Sequence, residues 1–123
     1  IVLHVGDETL DFSAPRRLAR VLEIFPEHTF VAAHMGGYSK RDSDAKYLLG
    51  KNLYVDTSST MQTVPPEKMV EMIHTHGADK VLFGTDYPAV HLAEEAEKLL
   101  SLALTDEEKE KIMYKNAERL LSL

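Results

Sequence analysis

Two histidines and two aspartates are spaced through the chain as a catalytic or metal-binding set could be. His4, His34, Asp56 and Asp86 close four short apolar runs: Ile1-Val2-Leu3, Phe30-Val31-Ala32-Ala33, Leu53-Tyr54-Val55 and Val81-Leu82-Phe83-Gly84-Thr85. Successive members lie 30, 22 and 30 residues apart, which suits a strand plus its crossover helix. Imidazole and carboxylate together suit zinc, manganese or iron(II), and either group can move a proton near neutral pH. Any one of the four is equally well explained as a polar group that satisfies a strand end by bonding a loop amide. Four of them on consecutive runs favour a shared site.

The elements that must position these residues are legible in the same pattern. The apolar runs are short, continuous and rich in β-branched and aromatic residues, as expected of strands buried on both faces of a parallel sheet. Helical patterns lie between them. Leu18, Val21, Leu22 and Phe25 recur at helical spacing, with Ser13 as the expected N-cap, Pro15 in the first turn and Pro26 as the stop. A shorter helix is expected at about Asp44 to Leu49, ending at Gly50, a third from Pro65-Pro66-Glu67 to Gly77, and a fourth over about His91 to Ala103. Thr105-Asp106-Glu107-Glu108 reads as a capping box, and the helix it opens should put Ile112, Met113, Ala117, Leu120 and Leu121 on one face. Alternation of this kind predicts right-handed βαβ units, whose ligand site lies at the carboxyl ends of the strands.

Composition narrows the chemistry. The 123 residues carry a net charge of -6, with 44% hydrophobic and 28% charged residues, ordinary for a globular chain. Seven Lys+Arg face eight Asp+Glu in residues 1–61, and seven face twelve in residues 62–123, so no basic surface gathers for nucleic acid. Without cysteine there is no disulfide framework and no thiolate zinc site, so a metal would be held by His, Asp or Glu. No apolar run approaches the roughly 20 residues of a spanning helix, so no membrane partner is expected. The chain starts in an apolar strand with no initiating Met, which suggests a piece of a longer protein. Cytoplasmic placement is the default expectation, although a leader could not be observed in a fragment.

Three phrases in order give these residues a relative. Phe30-Val31-Ala32-Ala33-His34-Met35-Gly36-Gly37, Asn52-Leu53-Tyr54-Val55-Asp56-Thr57-Ser58-Ser59 and Val81-Leu82-Phe83-Gly84-Thr85-Asp86-Tyr87-Pro88 resemble the last strands of the amidohydrolase-related metal-dependent hydrolases. That group includes aminocarboxymuconate-semialdehyde and resorcylate decarboxylases. The closing Ile112-Met113-Tyr114-Lys115-Asn116-Ala117-Glu118-Arg119-Leu120-Leu121 is similar to its C-terminal helix. The resemblance implies the second half, strands five to eight, of a TIM (β/α)8 barrel, with residues 1–123 as one C-terminal half-barrel segment. It also implies His4 as a metal ligand, His34 as a second-metal ligand or an acid-base group, and Asp86 as a metal ligand able to take a proton from water. Asp56 is better read as structural, because the family uses the loop after strand seven mainly to shape the pocket. The implied cofactor is a divalent metal, zinc first and manganese second. The implied activity is hydrolysis of a C–N, C–O or lactone bond, or the lyase chemistry of a non-oxidative decarboxylase, on a small-molecule substrate.

The other histidines and the glycines carry less. His74-Thr75-His76 imitates the His-x-His pair that the family places on strand one. On a helix, however, its rings would point about 200° apart, and a last-turn position at the negative end of the helix dipole is the simpler reading. His28 reads as a surface turn residue, whereas Tyr87 and His91 are candidates for the pocket mouth and for substrate binding. Gly36, Gly37 and Gly84 read either as turns made tight beside a metal or as plain loop turns. Four barrel strands would leave open edges and a concave inner face, so self-association, or pairing with an N-terminal half-barrel, is expected. The alternative function is a catalytically silent half-barrel or assembly module that lacks the strand-one ligands.

Overall fold

A computed structural model describes residues 1–7, 9–38 and 44–123. Four parallel strands, β1 (Val2–Leu3), β2 (Val31–Ala32), β3 (Tyr54–Asp56) and β4 (Val81–Leu82), form one sheet in the order β1-β2-β3-β4. Val2 pairs with Val31, Val31 with Tyr54, and Val55 with Val81. Neighbours in sequence are therefore neighbours in the sheet, and all four chain reversals that follow a strand lie at its carboxyl end.

The crossovers are α1 (Pro15–Ile24), α2 (Pro66–His76) and a connection between β2 and β3 whose described residues include two 3-10 turns, His34–Gly36 and Ala45–Tyr47. The second expected helix, at about Asp44 to Leu49, corresponds among the described residues to Asp44, the 3-10 turn Ala45–Tyr47 and the turn that ends at Gly50 (φ 81°); residues 39–43 lie outside the described residues. Helix α1 starts at Pro15 as expected, but its N-cap is Ala14 with no side-chain bond. Ser13 is used otherwise: its Oγ accepts from the Asp7 N–H at 3.1 Å, which ties the loop after β1 to the start of the helix. Within the expected stripe, Leu18 is buried, Val21 and Leu22 are half-buried, and Phe25 lies beyond the helix end at 46% exposure.

After β4 come α3 (Leu92–Ser101) and a C-terminal helical segment made of α4 (Asp106–Glu110), a π-helical stretch (Lys111–Lys115) and α5 (Asn116–Leu121). The capping box is formed: Thr105 Oγ1 accepts from Glu108 N–H at 3.2 Å, and Glu108 Oε2 accepts from Thr105 N–H at 2.8 Å. The π stretch changes the buried face. Its wider turn shifts everything downstream by about one residue, so Ile112 and Asn116 are buried while Leu121 is exposed. Asn116 Nδ2 donates to the carbonyls of Ala78 (2.7 Å) and Val81 (2.8 Å), and the Ile112 carbonyl accepts from Phe83 N–H at 2.9 Å. The C-terminal helical segment is thereby fastened to β4.

The core gathers Val55 and Val81 from the sheet, Met69 and Ile73 from α2, Leu99 from α3 and Ile112, all fully buried. The first strand departs from the expectation of burial on both faces: Val2 is 70% exposed, because β1 has a neighbour on one side only. Glu95 is fully buried on α3, bonded through Oε1 to Gln62 Nε2 and Lys98 Nζ, and its Oε2 has no hydrogen-bond partner among the described residues. Among the described residues no helix is long and apolar enough to cross a membrane.

Candidate active site

The loops that leave the carboxyl ends of the strands enclose an open depression of about 390 Å³, lined by His4, Asp7, Thr9, His34, Tyr38 and Asp86. Three of the four strand-end residues expected to act together therefore face one space. His4 Nδ1 lies 3.0 Å from His34 Nε2, and the rings meet edge to face with centroids 4.9 Å apart. Tyr38 packs against both rings, at 5.6 Å from His4 and 5.0 Å from His34.

Proton placement in this pair follows from its partners. His34 Nδ1 lies 3.1 Å from the Ser58 carbonyl oxygen, which can only accept, so Nδ1 carries the proton. In a neutral ring His34 Nε2 is then the acceptor, and His4 Nδ1 donates to it. His4 Nε2 is left with a lone pair. An imidazole with one N–H held by a partner and the other nitrogen basic is the usual state of a metal-ligating histidine. Asp86 supplies a carboxylate on the same depression, with Ser59 Oγ donating to its Oδ2 at 2.8 Å. These donor types fit a divalent ion, and the set is partial. Among the described residues no group of three or more His, Asp or Glu side chains stands in position to hold a metal.

The backbone carrying the site is strained. His34 (φ 61°), Met35 (φ 52°), Tyr38 (φ 30°), Ser59 (φ 47°) and Asp86 (φ 64°) all occupy the left-handed region without being glycine. Each such residue costs on the order of 1–3 kcal/mol, and they concentrate where a side chain must be aimed. Gly6 (φ 94°) does the same for a different reason: a Cβ there would stand 2.1 Å from the Gly37 carbonyl oxygen, so the β1 and β2 loops can meet only through glycine. Gly84 abuts the side chain of Asp56, whose Cγ would lie 3.3 Å from an added Cβ. The first is a contact between backbones and the second a contact of backbone with a side chain, and both join loops at the carboxyl edge.

Asp56 does not line the depression. Its Oδ1 accepts from His34 N–H (3.1 Å), from Ser58 N–H (3.0 Å) and from Ser58 Oγ–H. Asp7 plays a comparable part on the first loop: Oδ1 accepts from the N–H groups of Leu10 (2.6 Å) and Thr9 (2.9 Å), which holds its carboxyl below the usual range. Tyr87, 73% exposed, and His91 stand on the loop after Asp86 and are not among the lining residues. His74 and His76 diverge: His74 pairs with Glu108 at 3.1 Å, whereas His76 is buried and bonded to Gly50 and Leu53. Sequence reasoning missed Asp7, Thr9, Tyr38 and Ser58. The Asp-x-Thr turn after β1 and the Asp-x-Ser turn after β3 were the available signals.

The chain is similar to proteins of one kind. It is 29% identical over 73 residues to the gamma-resorcylate decarboxylase of Polaromonas sp., a match covering 59% of this chain and 22% of that protein. A TIM-barrel protein of Bordetella bronchiseptica superposes with a TM-score of 0.80 at 28% identity, over 98% of this chain and 44% of that structure. A dihydroxybenzoic acid decarboxylase from Polaromonas sp. JS666, solved with manganese and 2-nitroresorcinol, shares the fold at TM-score 0.69 and 21% identity, over 89% of this chain and 39% of its own. The chain thus spans less than half the length of each, and its parallel α/β sheet is of the TIM-barrel kind. The amidohydrolase family matches residues 1–123, and the chain belongs to that family.

Proposed function

We propose that residues 1–123 form strands five to eight of an amidohydrolase-family barrel that removes carbon dioxide, without oxidation, from a hydroxylated aromatic acid. The observation that carries this reading is the depression itself: His4, His34 and Asp86 face one space at the carboxyl edge of a parallel sheet, where barrel enzymes act. Decarboxylation is favoured over hydrolysis by the similarity to resorcylate-type decarboxylases.

His4 and Asp86 would hold a divalent ion together with ligands from outside this chain. Such an ion, when bound, clamps and neutralises the oxygens of the substrate beside its carboxylate. Manganese replaces zinc as the favoured metal, since a neighbouring decarboxylase was solved with manganese. His34, with one ring nitrogen bonded to the Ser58 turn and the other toward His4, is placed to move a proton. The ring carbon that loses its carboxylate as CO2 must gain one proton, which His34, at its basic Nε2, or Asp86 first takes up from solvent and then delivers. Tyr38 and Thr9 shape the wall, and Tyr87 and His91 are assigned to the rim, where a substrate enters.

The open edge of β1, with Val2 exposed at 70%, is assigned to pairing with an N-terminal half-barrel or a second copy. A second reading rests on the partial ligand set: the chain by itself is a silent module. Titration with Mn2+ followed by 2,6-dihydroxybenzoate separates the two. Stoichiometric metal, CO2 release and loss of both in Asp86→Asn support the enzyme. Metal binding with hydrolysis of a lactone and no CO2 release would overturn the decarboxylase assignment, and absence of metal binding in the protein with its upstream residues would favour the silent module.

A further inference from the structure

Asp56 sits next to the chemistry without facing it. Its Oδ1 takes three hydrogen bonds, and each constrains His34: one from the His34 backbone N–H, and two from Ser58, whose carbonyl and hydroxyl both meet His34 Nδ1 at 3.1 and 3.0 Å. Ser58 is 5% exposed and His34 likewise, so water does not compete for these bonds. The hydroxyl of Ser58 gives its own proton to the Asp56 carboxylate, which leaves the oxygen lone pairs facing the imidazole. A carboxylate that draws in the hydroxyl proton in this way makes that oxygen a better acceptor for Nδ1–H. The left-handed backbone of His34 (φ 61°) is held against its strain by the same oxygen through the backbone N–H.

We propose that Asp56, acting through the Ser58 turn, is a positioning residue that keeps the His34 proton on Nδ1 and so presents a basic Nε2 toward His4 and the depression. The inference deepens the assignment of His34 as the proton-moving group and rests on it. Asp56 belongs to the loop between strand and helix whose expected role is to shape the pocket; the geometry gives it a second task, the choice of tautomer.

Histidine-selective 15N labelling tests this without any turnover, because protonated and unprotonated ring nitrogens resonate far apart. His76 serves as an internal reference in the same spectrum. Its Nε2–H donates to the Leu53 carbonyl (3.0 Å) and its Nδ1 accepts from Gly50 N–H (3.1 Å), the opposite tautomer held by backbone alone. The protein should show His34 protonated on Nδ1 and His76 on Nε2. Ser58→Ala, which keeps the backbone acceptor, should lower the His34 preference about fivefold, and Asp56→Asn about tenfold. Ser58→Thr should restore it, and His76 should not move in any of these. A His34 ring protonated on Nε2 in the unsubstituted protein overturns the proposal. So does a His34 signal unchanged in both Ser58→Ala and Asp56→Asn while His76 also stays in place. Should Asp56→Asn disturb His76, revealing general damage, Ser58→Ala decides alone. Full CO2 release by a His34→Asn variant would instead sink the role of His34 and leave the tautomer result standing.

Discussion

His34 and His76 occupy opposite ends of the same sheet and are about equally buried, at 5% and 7% exposure. Each uses both ring nitrogens, yet the two are built for different ends. His76 spans two backbone groups of the turn that leads into β3, accepting from Gly50 and donating to Leu53. His34 receives backbone support on one nitrogen only; the other meets a second imidazole on the wall of an open depression. A histidine saturated by backbone is a brace. One that keeps a side-chain partner at the carboxyl edge has chemistry still available to it.

The contrast is sharpest in activity. His34→Asn should lower turnover by about 10²- to 10⁴-fold, the usual contribution of a positioned acid-base group, with little change in thermal midpoint. His76→Asn should leave turnover near normal in the surviving folded fraction, as steady-state rates per active site would show. Stability should reverse the order. His76→Leu leaves the buried Leu53 C=O and the partly buried Gly50 N–H without their partner and should cost about 2–4 kcal/mol by urea unfolding. A cost below that of His34→Ala would break the comparison.

Gly6→Ala strikes the carboxyl edge from outside the side-chain network. Its Cβ would meet the Gly37 carbonyl at 2.1 Å, so the β1 and β2 loops must part; a loss of about 2–3 kcal/mol and wider separation of the His4 and His34 rings are expected. The pH dependence of stability belongs to the other end. Burial, the larger cause, holds the His76 imidazole below its ordinary value against the opposing Leu53 bond. The unfolded chain therefore binds its proton first as pH falls. The stabilisation is complete above about pH 6.5 and is lost as pH drops through the lower folded value. Urea midpoints measured between pH 7 and pH 5 should fall, and His76→Gln should flatten that slope. Smallest is Thr105→Ala, at a residue that bonds to neither histidine. It should cost about 1 kcal/mol through the capping box and leave the His34 to His76 contrast untouched.

Much of this arrangement is legible in the amino-acid sequence. Short continuous apolar runs separated by helical patterns could only be satisfied by parallel strands, and the strand-end positions of His4, His34 and Asp86 follow from that alternation. The Thr105 box was equally local, since its two bonds join residues three apart. Where the reading slipped, a distant partner decided. Ser13 caps nothing because Asp7 claims its hydroxyl. Helix α4 passes into a π stretch because Ile112 is drawn to Phe83 and Asn116 to Val81, and neither attraction shows in helical spacing. The burial of Glu95 beside Gln62 and Lys98 is a further tertiary outcome that helical spacing does not show.

By itself, then, the amino-acid order determined which residue types stand at the strand ends, that cysteine chemistry is absent, and that helix and strand alternate, because those are matters of identity and of period along one dimension. Only the tertiary structure decided that His4 and His34 touch, that Asp56 turns away from the depression to hold Ser58, and that His74 and His76 part company. Those outcomes depend on hydrogen-bond partners some 20 to 35 residues away along the chain, and a bond of that reach exists only once the strands have paired.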